Sequence, residues 1–368
     1  MGGWETHLTA DYLGDKAGDA IDLSDLRASS QARAIKAEIE GAGEHNWMFS
    51  SSGTNNAHPD PARRTLAAGL LGLGLSPALA GAGPKVVQGE RTWSESAMVL
   101  YFDPAVENGF SLRISRYPER NATWVWCHLL LDGSLYAFTT RMAPCESSRT
   151  DPDQPTAFYT APGLRVGISR LGTSAHLQAL SFQADVRAHQ NSGGRDGDGP
   201  NRVKLEGIFR PGPLKTGSPK GRFERTGRIE ARLQAGGRIA ELSGVGKAHE
   251  QTQTDPRFTA PFTYAMLWGP SASLVGLMSP ERQYGDFEFA GLDTKMSSFQ
   301  IGQWAQIRRF EASLADGRRI GGEAETVRQF KVPIFGHQWL GRIVRAKVEG
   351  QSMVGMINDW RPEDQAFR

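Results

Sequence analysis

The sequence predicts an all-β protein of two consecutive antiparallel β-barrel or sandwich domains, on three observations. From Met98 onward apolar and polar residues alternate with a period close to two, which marks strands rather than helices. Glycine makes up 43 of 368 residues, against a usual share of ~7%, and it falls between short alternating segments where tight turns need it. Turn dipeptides recur at hairpin positions, at Asp132-Gly133, Gly236-Gly237, Asp316-Gly317 and Glu349-Gly350. Successive hairpins of this kind must stack or close, because open sheet edges invite aggregation.

In GFSLRISR, Phe110, Leu112 and Ile114 point one way and Ser111, Arg113 and Ser115 the other, as a half-buried strand requires. TWVWCHLLLDGSLYAFTT follows as an aromatic-rich hairpin, in which His128 alternates with Trp126 and Leu130 as a core histidine. The segment Ala188 to Arg202 is rich in Gly and Asp and reads as a mobile loop. A second loop, RPGPLKTGSPKGRFERTG, ends near Gly227. Together they mark a division into an N-terminal β domain, 81–225, and a C-terminal β domain, 226–368. GRIEARLQAGGRIAELSGVG, FEASLADGRRIGGEAETV and IVRAKVEGQSMVGMI supply three more hairpins.

Residues 1–62 read as a polar extension, disordered or the product of a misassigned start, with Met48 as the expected initiator. Arg63-Arg64-Thr65-Leu66-Ala67 then leads an apolar run to Leu75, and Ala78-Leu79-Ala80 has the small-x-small pattern of a cleavage site. Residues 63–80 thus resemble a twin-arginine export signal, implying a periplasmic or secreted chain, close to a membrane, that matures near Gly81. The run is too short and too broken by glycine for a comfortable membrane span.

Lys and Arg number 42 against 40 Asp and Glu, so the net charge of +2 and the lack of a basic block argue against nucleic acid as partner. The two cysteines, Cys127 and Cys145, have no zinc-site spacing; they either pair after export or stay as buried thiols. No nucleophile elbow, His-Glu-x-x-His pair, phosphate loop or dinucleotide fingerprint occurs. Neither a metal nor another cofactor is expected.

The chemistry concentrates in SGVGKAHEQTQTDPRF, Ser243 to Phe258. His249 can give or take a proton near neutral pH, and a shielded carboxylate at Glu250 or Asp255 can have its pKa raised toward the same range. In an extended chain, however, His249 and Gln251 share one face and Glu250 takes the other, so using both His249 and Glu250 would need a bulge or turn. FTYAMLWG follows, with Phe262, Tyr264, Met266 and Trp268 on one face, the wall a bulky apolar ligand needs or simply a barrel core. Further candidates for a pocket lining are His337 and Trp339, in step within FGHQWLGR, and Asp359 within INDWRPED.

The pattern SGVGKAHEQ…PRFTAPFTYAMLWG resembles the calycin-related proteins typified by carotenoid 1,2-hydratase (hydroxyneurosporene synthase), AttH-like lipocalins and kievitone hydratase, with Gln251 where the hydratases usually carry tryptophan. The resemblance implies two lipocalin-like barrels, a deep apolar cavity and cofactor-independent hydratase, lyase or cyclase chemistry on isoprenoid-like or aromatic molecules. On that reading His249 and Asp255 are the acid/base groups, Glu250 orients them, and Tyr264 and Trp268 offer faces to a carbocation. The competing expectation is a non-catalytic periplasmic carrier of a lipid or pigment. Sugar binding is disfavoured because the tryptophans lie on strands in apolar company.

Overall fold

The computed structural model describes residues 86–190, 197–212, 221–254, 258–303 and 305–362. The polar extension, the export-like segment and Asp255 lie outside them. Ten strands form the first sheet: β1 (Ser94–Phe102), β2 (Gly109–Tyr117), β3 (Ala122–Leu131), β4 (Ser134–Ala143), β5 (Thr156–Thr160), β6 (Arg165–Gly172), β7 (Leu177–Gln190), β8 (Asn201–Pro211), β9 (Arg222–Ala235) and β10 (Arg238–Gln253). Their order is β4-β3-β2-β1-β10-β9-β8-β7-β6-β5. A short contact of β4 with β7, Tyr136 opposite Gln190 and Ala137 opposite His189, closes eight of them into a ring and leaves β6 and β5 as a continuation.

Eight more strands close a second, purely up-and-down barrel: β11 (Phe262–Trp268), β12 (Ala272–Met278), β13 (Gln283–Phe289), β14 (Leu292–Ile301), β15 (Ile307–Leu314), β16 (Arg319–Ile334), β17 (His337–Val348) and β18 (Gln351–Pro362). The two successive antiparallel barrels are those expected, but the division at residue 225 cuts through β9. The hairpin at Gly236-Gly237 keeps β9 and β10 in the first sheet, and the changeover falls between Gln253 and Phe262. The expected loops are correspondingly shorter, since β7 runs to Gln190, β8 to Pro211 and β9 from Arg222.

Three of the four turn dipeptides adopt the left-handed conformation at both residues that a two-residue hairpin with strand-matching twist requires: Asp132-Gly133, Gly236-Gly237 and Glu349-Gly350. Gly317 alone is left-handed in the fourth, a longer turn between β15 and β16. Ala290-Gly291 and Phe335-Gly336 are two further turns of the same kind.

The apolar residues divide into three clusters. Phe110, Leu112, Ile114, Val125 and Cys127 fill the first barrel, and Leu267, Phe287, Phe299 and Phe310 fill the second. A third cluster joins the outer face of β1 and β3, through Met98, Leu100, Trp124 and Trp126, to the outer face of β11, β16, β17 and β18, through Tyr264, Met266, Phe330, Trp339 and Trp360. Strands β1, β2 and β3 are therefore buried at every position rather than half-buried, because the second barrel covers their other face. Both cysteines are buried and free. Trp124, Trp126, Trp268, Trp339 and Trp360 are all buried as well, which leaves them no sugar-stacking surface.

A bulge in β16 between Thr326 and Arg328 makes this interface possible. Ahead of it Ala324 faces the second barrel's interior; beyond it Phe330, Val332 and Ile334 face the first barrel. One extra residue reverses the alternation. It also aims Arg328, whose Nε donates to the Gly133 carbonyl at 2.7 Å, at the hairpin turn of the other barrel.

Candidate functional site between the barrels

Residues directly opposite each other in an antiparallel pair share a face. A row therefore crosses the outer face of the first barrel from Glu224 on β9 through His249 on β10, Met98 on β1 and Arg113 on β2 to Trp126 on β3. The next row runs from Lys247 through Leu100 and Ser111 to His128. Facing them, the second barrel presents Leu277, Tyr264, Asn358, Gly341 and Phe330. Gly341 is required here, because a Cβ on it would lie 2.0 Å from the ring of Phe330. That ring in turn lies flat on His128, with centroids 3.6 Å apart.

The charged groups converge on Glu224, a residue sequence reasoning passed over. Its Oε1 accepts hydrogen bonds from the Tyr264 hydroxyl, from Arg222 Nε at 2.9 Å and, as donor, from His249 Nδ1 at 3.1 Å. Lys247 Nζ pairs with Oε2 at 2.9 Å. Burial pushes the Glu224 carboxyl up, but Lys247 and Arg222, then His249, outweigh it and hold it well below the usual carboxylate range. An ionised Glu224 only accepts, which places the His249 proton on Nδ1. Burial brings His249 down to about 4 despite the carboxylate, so the ring is neutral at pH 7. Burial and Glu224 together push the Tyr264 phenol well above 10 against the pull of Arg222, and it stays protonated. Arg222 also donates to the Tyr264 oxygen and lies over its ring at 4.9 Å.

Between the barrels is a cavity of about 10 Å³, room for roughly one water molecule. Met98, Ser111, Arg113, Trp126 and His128 line it from one side, and Tyr264, Met266, Phe330, Trp339, Met356 and Asn358 from the other. Burial brings the His128 imidazole down to about 3. His128 Nε2 and Trp126 Nε1 are buried with no hydrogen-bond partner among the described residues, and Trp339 Nε1 donates to Asn358 Oδ1 at 3.1 Å. A larger surface groove of about 330 Å³, beside Gly236-Gly237, is lined by Arg202 and Lys204 and gathers no acid/base group. Its size is a poor guide to chemistry.

Of the residues singled out in the sequence, Tyr264 and Trp339 line the cavity and His249 stands behind it through Glu224. Gln251 shares the His249 face and hydrogen-bonds Gln253. Glu250 does not join them. No bulge interrupts β10 there, so Glu250 turns into the first barrel, where Oε1 accepts from Tyr159 and Arg170 at 3.0 Å each and burial raises its pKa. Arg170 continues to the carbonyls of Asp151 and Gln154, which makes Glu250 part of a brace for the loop over that barrel's end. Trp268 lies on the interface but away from the cavity, stacked on Phe102 at 6.0 Å. His337 sits edge-on to Trp360 at 5.1 Å, also off the cavity. Asp359 points into the second barrel, and the cavity residue is its neighbour Asn358.

Among the described residues no group of three His, Cys, Asp or Glu side chains is placed to hold a metal ion. No family model matches the chain, and no curated protein matches it. Solved structures do. An AttH-type protein of Nitrosomonas europaea aligns at 11% identity over 77% of this chain and 98% of its own, with a TM-score of 0.45. Kievitone hydratase from Nectria haematococca aligns at 9% identity over 78% and 93%, TM-score 0.45. CghA, in its complex with Sch210972, aligns at 9% identity over 77% of this chain and 95% of its own, with a TM-score of 0.50. At that identity the likeness concerns the fold alone, and the two consecutive antiparallel barrels that the sequence predicts are the fold this chain has.

Proposed function

We propose that the protein is an acid/base enzyme of the hydratase or lyase type, acting without a cofactor on an isoprenoid-like or aromatic small molecule held between its barrels. The observation that carries this is the Tyr264 phenol, tied to the Glu224 carboxylate and lining a cavity of methionine, aromatic and polar side chains whose opposite wall holds the unpartnered His128 Nε2. In the dehydrating direction the Tyr264 proton leaves its bond to Glu224 and passes to the departing hydroxyl, His128 accepts the proton from the neighbouring carbon, water leaves, and the proton on His128 then returns to the Tyr264 oxygen to restore both groups; hydration is the reverse. Arg222 stabilises the phenolate that forms. Glu224, itself oriented by His249, positions the Tyr264 hydroxyl. The names of the kievitone hydratase and CghA structures agree with small-molecule chemistry on this fold but do not supply a substrate.

A ligand larger than water needs the cavity to widen. Met98, Met266 and Met356 supply the means, since unbranched methionines repack at low cost. Convergence of protic groups supports the enzyme over the carrier, which needs only an apolar lining and an open mouth. Export through the twin-arginine-like segment belongs to the same proposal, and fractionation of the native host tests it.

Native mass spectrometry of protein purified from its own host would identify a copurified apolar ligand. That ligand is then incubated in ¹⁸O-labelled water with the wild type, Tyr264→Phe and His128→Phe. The expected result is label uptake or loss of water by the wild type, lowered at least about 100-fold in each variant. A ligand left unchanged by the wild type would overturn the enzyme in favour of the carrier.

A further inference from the structure

The cavity between the barrels is lined by a donor that the acid/base scheme does not use. Trp126 is 7% exposed, and its Nε1 is buried with no hydrogen-bond partner among the described residues. Trp268 and Trp360 also carry an unpartnered Nε1, but neither lines the cavity; Trp339 does, and its Nε1 is taken by Asn358. Trp126 and His128 are next-but-one neighbours on β3, so both side chains stand on one face, about 7 Å apart along the strand. Packing holds both rings. Trp126 lies against Trp339 with centroids 4.9 Å apart, and His128 lies against Phe330. Arg113, whose Nε donates to Ser115 Oγ at 3.0 Å and Nη2 to Ser96 Oγ at 3.3 Å, sits over the Trp126 ring at 5.5 Å. A cation there draws electron density from the ring and makes its N–H a stronger donor. A buried donor is costly until an acceptor reaches it.

Chemistry narrows the acceptor. Burial first of all holds the Tyr264 phenol well above 10 and brings His128 down to about 3. So weak an acid does not protonate an isolated double bond, and so weak a base does not take a proton from an unactivated carbon. The substrate itself must acidify the carbon, as a carbonyl does by taking the charge on its oxygen. Resting on the acid/base reading above, we propose that the substrate is a β-hydroxy carbonyl compound, dehydrated to the α,β-unsaturated carbonyl, with its carbonyl oxygen seated on Trp126 Nε1. His128 Nε2 takes the proton from the carbon between the carbonyl and the hydroxyl-bearing carbon. The C–H electron pair becomes the enolate double bond, and the carbonyl π pair moves to the oxygen, where Trp126 holds it. That pair then re-forms the carbonyl, the enolate pair becomes the new C=C bond, and the C–O bond to the hydroxyl breaks. The departing oxygen takes the Tyr264 proton and leaves as water, and the proton on His128 returns to Tyr264.

The test uses the full chain with ¹⁵N-labelled tryptophan and two probes of one shape, acetophenone and α-methylstyrene, in which a methylene replaces the carbonyl oxygen. The Trp126 Nε1–H resonance, assigned by its loss in Trp126→Phe, should move downfield saturably with acetophenone and stay in place with α-methylstyrene. In D₂O the wild type should exchange the acetophenone methyl protons for deuterium faster than buffer does, and Trp126→Phe should lower this protein-catalysed exchange at least about 100-fold. No indole shift with acetophenone, an equal shift with both probes, or exchange unaltered in Trp126→Phe would overturn the carbonyl seat while leaving the acid/base groups standing. An indole shift without exchange by the wild type would overturn the acid/base reading, and the enolate step with it. If Trp126→Phe does not fold, the wild-type titrations and exchange decide.

Discussion

Replacing Glu224 by glutamine isolates the electrostatics of the inter-barrel cluster, because the substitution keeps volume and shape. Glu224 is the carboxylate shared by Lys247, 0% exposed, and Arg222, 11% exposed, and it fixes His249 and Tyr264 through Oε1. Glutamine can still accept one or two of these bonds, but it takes away the carboxylate charge that Lys247 and Arg222 share. Breaking a buried pair on one side costs about 3–5 kcal/mol, far more than the pair contributes net, because the remaining ion stays desolvated. We expect that loss in urea unfolding followed by tryptophan fluorescence, and a fall in Tm of about 5–15 °C. Lys247→Met in the Glu224→Gln background removes the charge that faced the lost carboxylate and should restore part of the loss, a coupling that a double-mutant cycle reads directly. If Glu224→Gln unfolds within about 1 kcal/mol of the wild type, the cluster is not the desolvated ion group described above, and the assigned His249 tautomer loses its basis.

Acid should weaken the fold by a route these residues define. The folded pKa of His249 is about 4 and that of His128 about 3, both below the unfolded value of about 6.5. Their contribution is therefore complete above pH 6.5 and is lost as pH falls through that value toward 4 and 3, by upper limits of about 3 and 5 kcal/mol. Glu224, also depressed, adds a loss of the same sign at lower pH, while the raised Glu250 works the other way. Unfolding free energy measured from pH 7 to 4 should drop steeply in the wild type and less in His128→Phe; a flat wild-type profile would contradict the burial of both rings. Gly341→Ala should cost about 1–3 kcal/mol by driving Phe330 off His128, and a variant as stable as the wild type would mean that the ring is not held flat against this backbone.

How much of this was legible in the sequence turns on which relations a single strand can express. Alternation places Tyr264 and Met266 on one wall and separates His249 from Glu250, and both relations hold. It carries no information about what lies beyond a strand's second face, so Ser111 and Arg113 read as solvent-facing although the other barrel buries them. Nor does it survive a bulge. The extra residue near Val327 inverts the faces of the rest of β16, so a strict period of two would send Phe330 into the wrong core. Asp359 shows the same sensitivity, since one position decides between the cavity, which takes Asn358, and the barrel interior. Glu224 is different, because its place was within reach. The Gly236-Gly237 turn is a two-residue hairpin, which fixes the register of both arms, and counting outward from it sets Glu224 opposite His249. The acid that orients His249 lies not beside it in the chain but across the hairpin, and Glu250, its neighbour in sequence, is denied that role by the pleat of β10.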